Sequence, residues 1–347
     1  MRLKQAFRRS VRWLAFAYLG AVVLIAACLY FIGEGWWVTG VLMYLPQLGW
    51  ALPLPVVVAL IALIRDWRLL WTQLAVLVVW LFVLMGLTLP LPHFSAGAAP
   101  KMRVLSFNAN SCYSGVDAVA RQIIAQSADL VLLQELFAND QALADALRKT
   151  YPVVQFDGQF LIASRYPILQ STVPPRVAVG EAMRTARFVH YAIQSPLGTL
   201  SVYNMHPLSP RGALWALRKG GFKKQLLRGH ALDGEVEEST QGYAEVRVAQ
   251  AAAAAEMAKA DPGAVLIAGD TNLPSFSPAL RRLFGSFQDG FIRAGAGFGF
   301  TFPDRLPWMR IDRIFASNAL KFVDFRVGCR GVSDHFCVVA ELERREP

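Results

Sequence analysis

The stretch AVLIAGDTNLPSF (residues 264–276) carries an apolar run into a polar end. Val265, Leu266, Ile267 and Ala268 are closed by Gly269 and followed by Asp270, Thr271 and Asn272. That order predicts a buried central strand that stops at the rim of a sheet. Asp270 and Asn272 stand two apart, and residues i and i+2 of an extended strand point to the same side. Asp and Asn are equally at home in turns that only cap the next element. The neighbouring sequence has to decide between a cap and a site.

Working outward, strand and helix signals alternate from residue 101 onward. MRVLSFNAN (102–110) and ADLVLLQEL (128–136) read as short strands around a helical stretch at 116–127. FDGQFLIASRYPI (156–168), ARFVHYAIQS (186–195) and GTLSVYNMHP (198–207) read as further strands. A long helix ends in the Ala-rich VRVAQAAAAAEMAKA (246–260), and RIDRIFAS (310–317), residues 321–328 and DHFCVVAELE (334–343) complete the strands. Many strands with few crossover helices predict an α/β sandwich of two mixed sheets with helices outside.

Polar residues recur at the strand ends. Asn108 closes the first strand, Glu135 the second, and His206 the SVYNMH strand. Asp270 and Asn272 close the opening one, Asp312 sits in RIDRIF, and Asp334–His335 precede the last strand. Singly, each reads as a turn cap or a satisfied core residue; their recurrence predicts convergence on one rim. Leu130 to Leu133 are wholly apolar, so a carboxylate at Glu135 is expected to be partly desolvated. His190 and His230 fit no motif.

The first ninety residues differ. Residues 13–33 form an uncharged apolar run long enough to span a bilayer, and similar runs cover about 41–64 and 69–91. Only Glu34, Arg65, Asp66 and Arg68 carry charge between Trp13 and Pro92, which predicts three transmembrane helices over residues 1–92. A cleaved signal peptide does not account for three runs. Pro46, Pro53 and Pro55 predict a kink in the second. Arg2, Lys4, Arg8, Arg9 and Arg12 precede the first span and Arg65 and Arg68 follow the second, whereas EGWWVTG (34–40) has no Lys or Arg. The positive-inside rule then puts the N-terminus in the cytoplasm and everything after Pro92 outside the bacterial inner membrane. Residues 93–100 are a small Pro/Gly/Ala-rich linker to a soluble domain at 101–347.

Of 35 Lys/Arg and 25 Asp/Glu, seven and two fall in residues 1–92, which leaves 28 and 23 beyond, a balance of about +5. That is too mild to argue for nucleic acid. Cys28 lies in the first span, while Cys112, Cys329 and Cys337 lie where a disulfide is permitted. Cys329 and Cys337 bracket a hairpin-sized stretch, and their pairing stays open.

Taken in order, SFNAN (106–110), LLQEL (132–136), LIASRYPI (161–168), YNMHPLSP (203–210), AGDTNLP (268–274), RIDRIF (310–315) and SDHFCVVAEL (333–342) resemble the endonuclease/exonuclease/phosphatase superfamily, the DNase-I-like fold. The resemblance implies a four-layer α/β sandwich, a divalent metal (usually Mg²⁺, with Mn²⁺ as the alternative) and hydrolysis of phosphoesters. It implies Glu135 as main metal ligand, with Asn108 and Asp334 near the metal or its waters. Asp270 would orient or deprotonate the attacking water and Asn272 would hold a phosphate oxygen. His335 would contact the phosphoryl group, with Asp312 fixing its tautomer. His206 would bind phosphate or act as acid/base, supported by Asn204 two residues back. Arg187 and Arg165 match a phosphate contact or a surface ion pair equally well.

Thr271 stands where the family usually has an aromatic residue, and NMHP replaces the commoner NTHL. Both shift the likeness from DNA-repair and secreted nucleases toward membrane-anchored bacterial members of the teicoplanin-resistance type. The expected partner is therefore the lipid bilayer and the expected substrate a phosphate-bearing lipid or small molecule, with nucleic acid second. A periplasmic nuclease and an inert membrane-binding module on the same fold are the alternatives. Residues 210–230 interleave Arg211, Arg218, Lys219, Lys223, Lys224 and Arg228 with Leu, Trp and Phe, which fits a membrane-surface segment or a solvated helix.

Overall fold

The computed structural model describes residues 2–90, 100–137, 140–212 and 235–345, with side chains of 140 and 235–239 excepted. The linker at 93–100 and the basic stretch at 210–230 lie largely outside the described residues. Two compact units result: residues 1–87 with 276–278, and residues 88–275 with 279–347.

In the first unit, α1 (Arg2–Ala27) and the turns after it form one helical stretch to Gly35, and α2 (Trp37–Leu42) follows. Pro46 adopts an extended conformation and Pro53 leads into α3 (Leu54–Ile64), so the second apolar run is broken ahead of its helix. α4 (Leu70–Val78) lies in the third stretch. Arg2–Gly35, Gln47–Ile64 and Trp67–Leu84 have mean hydropathies of 2.4, 2.1 and 1.8 and are long and apolar enough to cross a membrane. Only 22–28% of their most apolar windows is buried within the protein, and Leu24, Leu63 and Leu74 are exposed, which suits surfaces facing lipid. The Arg8 guanidinium donates to the Ile64 carbonyl (3.0 Å), and Arg12 pairs with Asp66 (2.7 Å). The basic start of α1 therefore shares one end with the α3–α4 turn.

The second unit is built on two six-stranded mixed sheets. The strands are β1 (Lys101–Asn108), β2 (Leu130–Gln134), β3 (Val153–Asp157), β4 (Phe160–Ser164), β5 (Ile168–Thr172), β6 (Val177–Val179), β7 (Ala182–Arg184), β8 (Phe188–Ser195), β9 (Gly198–Met205), β10 (Ala264–Asp270), β11 (Gln288–Asp289), β12 (Asp312–Ala316), β13 (Leu320–Gly328) and β14 (Cys337–Arg344). One sheet runs β13-β14-β1-β2-β4-β3 and the other β11-β12-β10-β9-β8-β5, with β6 and β7 a separate hairpin. Only the β1/β2 and β9/β10 pairs are parallel in these sheets. Met102, Leu132 and Val338 of one sheet meet Tyr191, Val202 and Leu266 of the other in a shared apolar core. Central strands covered on both faces read as unbroken apolar runs, which is why β2 and β10 do.

α5 (Val116–Ala125) and α6 (Asp140–Arg148) cover the outer face of the first sheet through Val119, Ile123 and Leu147. α7 (Glu235–Ala260) and α8 (Pro278–Phe284) cover the second. Ala251, Ala254, Ala255 and Ala258 fall at helical spacing and are buried, so the small side chains let α7 lie close to its sheet. The layers are thus helix, sheet, sheet, helix, a four-layer α/β sandwich.

Register aligns the polar ends. β10 lies between β9 and β12, with Gly269 opposite Met205 and Asp270 opposite Asp312. On the other sheet Asn108 pairs with Gln134. Gly269 has φ 147°, and a Cβ there would collide with the Met205 carbonyl, so only glycine lets β10 pass this close to β9. Cys329 and Cys337 form a disulfide, Cα atoms 5.3 Å apart, closing the loop that carries Asp334 and His335.

Candidate active site

Asp270, at the end of β10, is the hub. It is 1% exposed, and its Oδ2 accepts from Asn108 Nδ2 (3.1 Å) across the gap between the sheets. Its Oδ1 accepts from the backbone N–H of Asn272 (2.9 Å). His206 Nε2 and His335 Nε2 each lie 3.7 Å from Oδ2. Asp312 completes the row, its Oδ2 accepting from His335 Nδ1 (2.9 Å), while its Oδ1 is buried and has no hydrogen-bond partner among the described residues. The row crosses both sheets, since Asn108 ends β1, Asp312 opens β12 and His335 precedes β14.

The two histidines occupy opposite electrostatic settings. Burial, the largest influence, pushes His206 down to about 4; Asp270 opposes this, and Arg187, His335 and Arg211 add to it. Burial also works against charge on His335, but Asp312, Asp270 and Asp334 outweigh it and raise that group to about 9. At neutral pH His206 is therefore neutral and His335 an imidazolium. Gln159 Oε1 receives both Arg187 Nη2 (3.3 Å) and His206 Nδ1 (2.7 Å). An oxygen between two donors puts the His206 proton on Nδ1 and leaves Nε2 as a bare acceptor beside Asp270.

Glu135 and Asp334 stand apart from this row and share a cation. Arg211 pairs with Asp334 in a short contact and lies 3.7 Å from Glu135 Oε1, its guanidinium 5.5 Å from the Phe302 ring centroid. Glu135 has φ 60°, an uncommon conformation for a non-glycine residue, and its carbonyl accepts from the Ser111 N–H (2.8 Å). Asn272 (φ 50°) and Arg187 (φ 57°) share that left-handed conformation, so three positive-φ residues stand around the site.

The residues singled out from the sequence occupy three settings. Asn108, His206, Asp270, Asn272, Asp312 and His335 form one buried network, and Glu135 and Asp334 form the half-exposed pair beside it. Asn204 sits elsewhere: fully buried, it accepts from Gln134 Nε2 (2.7 Å) and donates to the Leu133 carbonyl (3.1 Å). Both ends of its carboxamide are taken by β2, so it ties the sheets together behind His206. Arg165 lies near Asp129 (3.4 Å), a surface pair. His190 contacts Ser201 (2.9 Å) and stacks on Tyr203, a structural setting. Gln159 is the residue that sequence reasoning misses; Arg187 stands there only as a phosphate contact or a surface ion pair, and Arg211 only within the basic stretch at 210–230. Gln159 follows an Asp-Gly turn and carries no sequence signal of its contact with His206, which exists only once β4 and β9 are placed.

Asp270, Asp312 and His335 also bring one ligand-type atom each within 4.8 Å of one another. A protonated His335 has no lone pair to offer a metal. The oxygens of Glu135 and Asp334, already converged on one cation, are the better match to a hard divalent ion.

Two mixed sheets between helix layers, with carboxylates, carboxamides and histidines gathered at their strand ends, define an α/β sandwich of the DNase-I-like class. The sequence matches the endonuclease/exonuclease/phosphatase family over residues 105–335, and the chain belongs to that family. Its members hydrolyse phosphoester bonds and use divalent metals. Among solved structures, an endonuclease/exonuclease/phosphatase from Beutenbergia cavernae aligns with a TM-score of 0.53 and 18% identity, covering 70% of this chain and 72% of that one. Truncated Caenorhabditis elegans TDP2 aligns at 0.48 and 19%, covering 70% and 97%. Staphylococcus aureus beta toxin aligns at 0.49 and 16%, covering 69% and 99%. No curated protein matches the sequence significantly.

Proposed function

We propose that this chain is a membrane-tethered, divalent-metal-dependent phosphoesterase acting on a phosphate- or pyrophosphate-bearing lipid or head group at the outer side of the membrane. The observation that carries the reading is the buried row Asp312–His335–Asp270, with Asn108 and His206 on the same carboxylate.

In this reading Asp270 takes the proton of the attacking water. Asn108 and the Asn272 N–H hold its two oxygens in place. His206, bare at Nε2, accepts from the same water and so orients it. His335, doubly protonated and steered by Asp312, donates to a phosphoryl oxygen as charge builds there. Asn272, whose amide donates to the Pro207 carbonyl (3.0 Å), takes a second phosphoryl oxygen. Asn204 holds the strand that presents His206.

Glu135 and Asp334, with Asn108 beside them, are the proposed holders of the metal, and the guanidinium already between the two carboxylates supports the fit. Such an ion supplies charge neutralisation on the phosphoryl oxygens. Mg²⁺ suits an all-oxygen set, and Mn²⁺ accepts the same donors.

Three apolar helices support the tether, which raises the effective concentration of a lipid substrate. The shared end of Arg8, Arg12 and the α3–α4 turn supports a common cytoplasmic side for both basic segments. A disulfide at Cys329–Cys337 suits an oxidising outer compartment. The deciding assay sets the detergent-solubilised chain with Mg²⁺ against a polyprenyl pyrophosphate, a phospholipid diester and plasmid DNA. Turnover of a lipid substrate is expected; DNA nicking with no lipid turnover would replace the reading with a nuclease.

A further inference from the structure

Gln159, which contacts His206, also lines a cavity of about 810 Å³. It is of the size that takes a whole small ligand. Its wall starts at Gln159 and Arg187 and passes Arg184 and Leu208 to Tyr243 and Val246. One oxygen, Gln159 Oε1, touches both His206 and Arg187, so a single side chain of the cavity wall joins it to the reacting centre.

The lining is cationic at the end near His206. Arg187 is half-buried, and among the described residues it has no carboxylate within ion-pair distance. Burial lowers its basicity, opposed by the charges of Glu135 and Asp270. Arg184 ends β7, is exposed, and likewise has no ion pair among the described residues. Among the described lining residues Glu245 is the one carboxylate, against two guanidinia. The nearest acidic groups, Glu135 and Asp270, act on Arg187 without direct ion pairing among the described residues, so donors of its planar fork stay open to phosphoryl oxygens. Leu208 and Val246 add apolar surface to the lining.

We propose that this cavity is a subsite for a second anionic group of the substrate, held by Arg187 and Arg184 while the scissile phosphoryl group lies at Asp270 and His335. The substrate class is then a pyrophosphate or a phosphoester with a further phosphoryl group nearby. The proposal rests on the phosphoesterase reading for its chemistry but not for its binding test.

That test is calorimetric titration of the full chain, in chelator, with inorganic pyrophosphate and with inorganic phosphate. Pyrophosphate is expected to bind at least tenfold tighter, and Arg187→Gln and Arg184→Gln each to remove most of that preference. Arg184 is exposed, so its variant keeps the test open if Arg187→Gln misfolds. Equal affinity for the two anions, or a preference that survives both substitutions, overturns the subsite. A parallel turnover assay of bis(p-nitrophenyl) phosphate, with Asp270→Ala as control, reports separately on the phosphoesterase reading.

Discussion

At the scale of single residues, identical side chains do opposite things because their neighbours differ. His206 is buried against Gln159 and stays neutral, whereas His335 is buried between carboxylates and stays charged. The native value of His335 lies above the roughly 6.5 of an unfolded histidine. Its stabilising contribution is therefore complete below about pH 6.5 and is lost as pH rises through about 9. Thermal unfolding across that window should show a falling alkaline limb that His335→Gln flattens; an unchanged limb would contradict the assignment. Arg211 competes for the carboxylates proposed to hold the metal. Removing an exposed ion pair is worth about two- to fivefold in binding, so Arg211→Ala should tighten Mn²⁺ affinity by that factor. Weaker or unchanged affinity in titration calorimetry would show that Glu135 and Asp334 do not hold the ion.

At the scale of elements, β10 shows how much the sequence discloses and where it stops. Its apolar run and polar end were legible because a strand covered on both faces has no other composition available. The recurrence of Asn108, Glu135, His206, Asp312 and His335 at strand ends was legible for the same reason. What Asn204 touches was not, because its partners Gln134 and Leu133 lie on the other sheet and depend on how the sheets stack. Gln159 was hidden likewise, since it closes no strand in a motif, and for Arg187 the sequence left a phosphate contact and a surface ion pair equally open. Gly269 belongs to this scale too. Its backbone conformation and the Met205 carbonyl exclude a side chain, so Gly269→Ala should destabilise by about 3 kcal/mol or more in urea unfolding. A change below about 0.5 kcal/mol would mean that β9 and β10 part easily.

At the scale of the whole molecule, the α/β unit and the apolar helices were both legible in composition, since mean hydropathies of 1.8 to 2.4 over such lengths mark helices long and apolar enough to cross a membrane. Helix limits were less so: the second apolar run is interrupted at Pro46, and its helical stretch begins at Gln47. A phosphatase reporter fused after Pro347 should be active in the periplasm if the charge bias sets the topology. Activity only in a cytoplasmic reporter would reverse it. The central claim is that Asp270, within the Asp312–His335 row, drives phosphoester hydrolysis. Its most direct test is the initial rate of phosphate release from a polyprenyl pyrophosphate by the full chain and by Asp270→Ala, both with Mg²⁺. A loss of about 10²-fold or more is predicted for the variant. Equal rates from the two proteins would contradict the account.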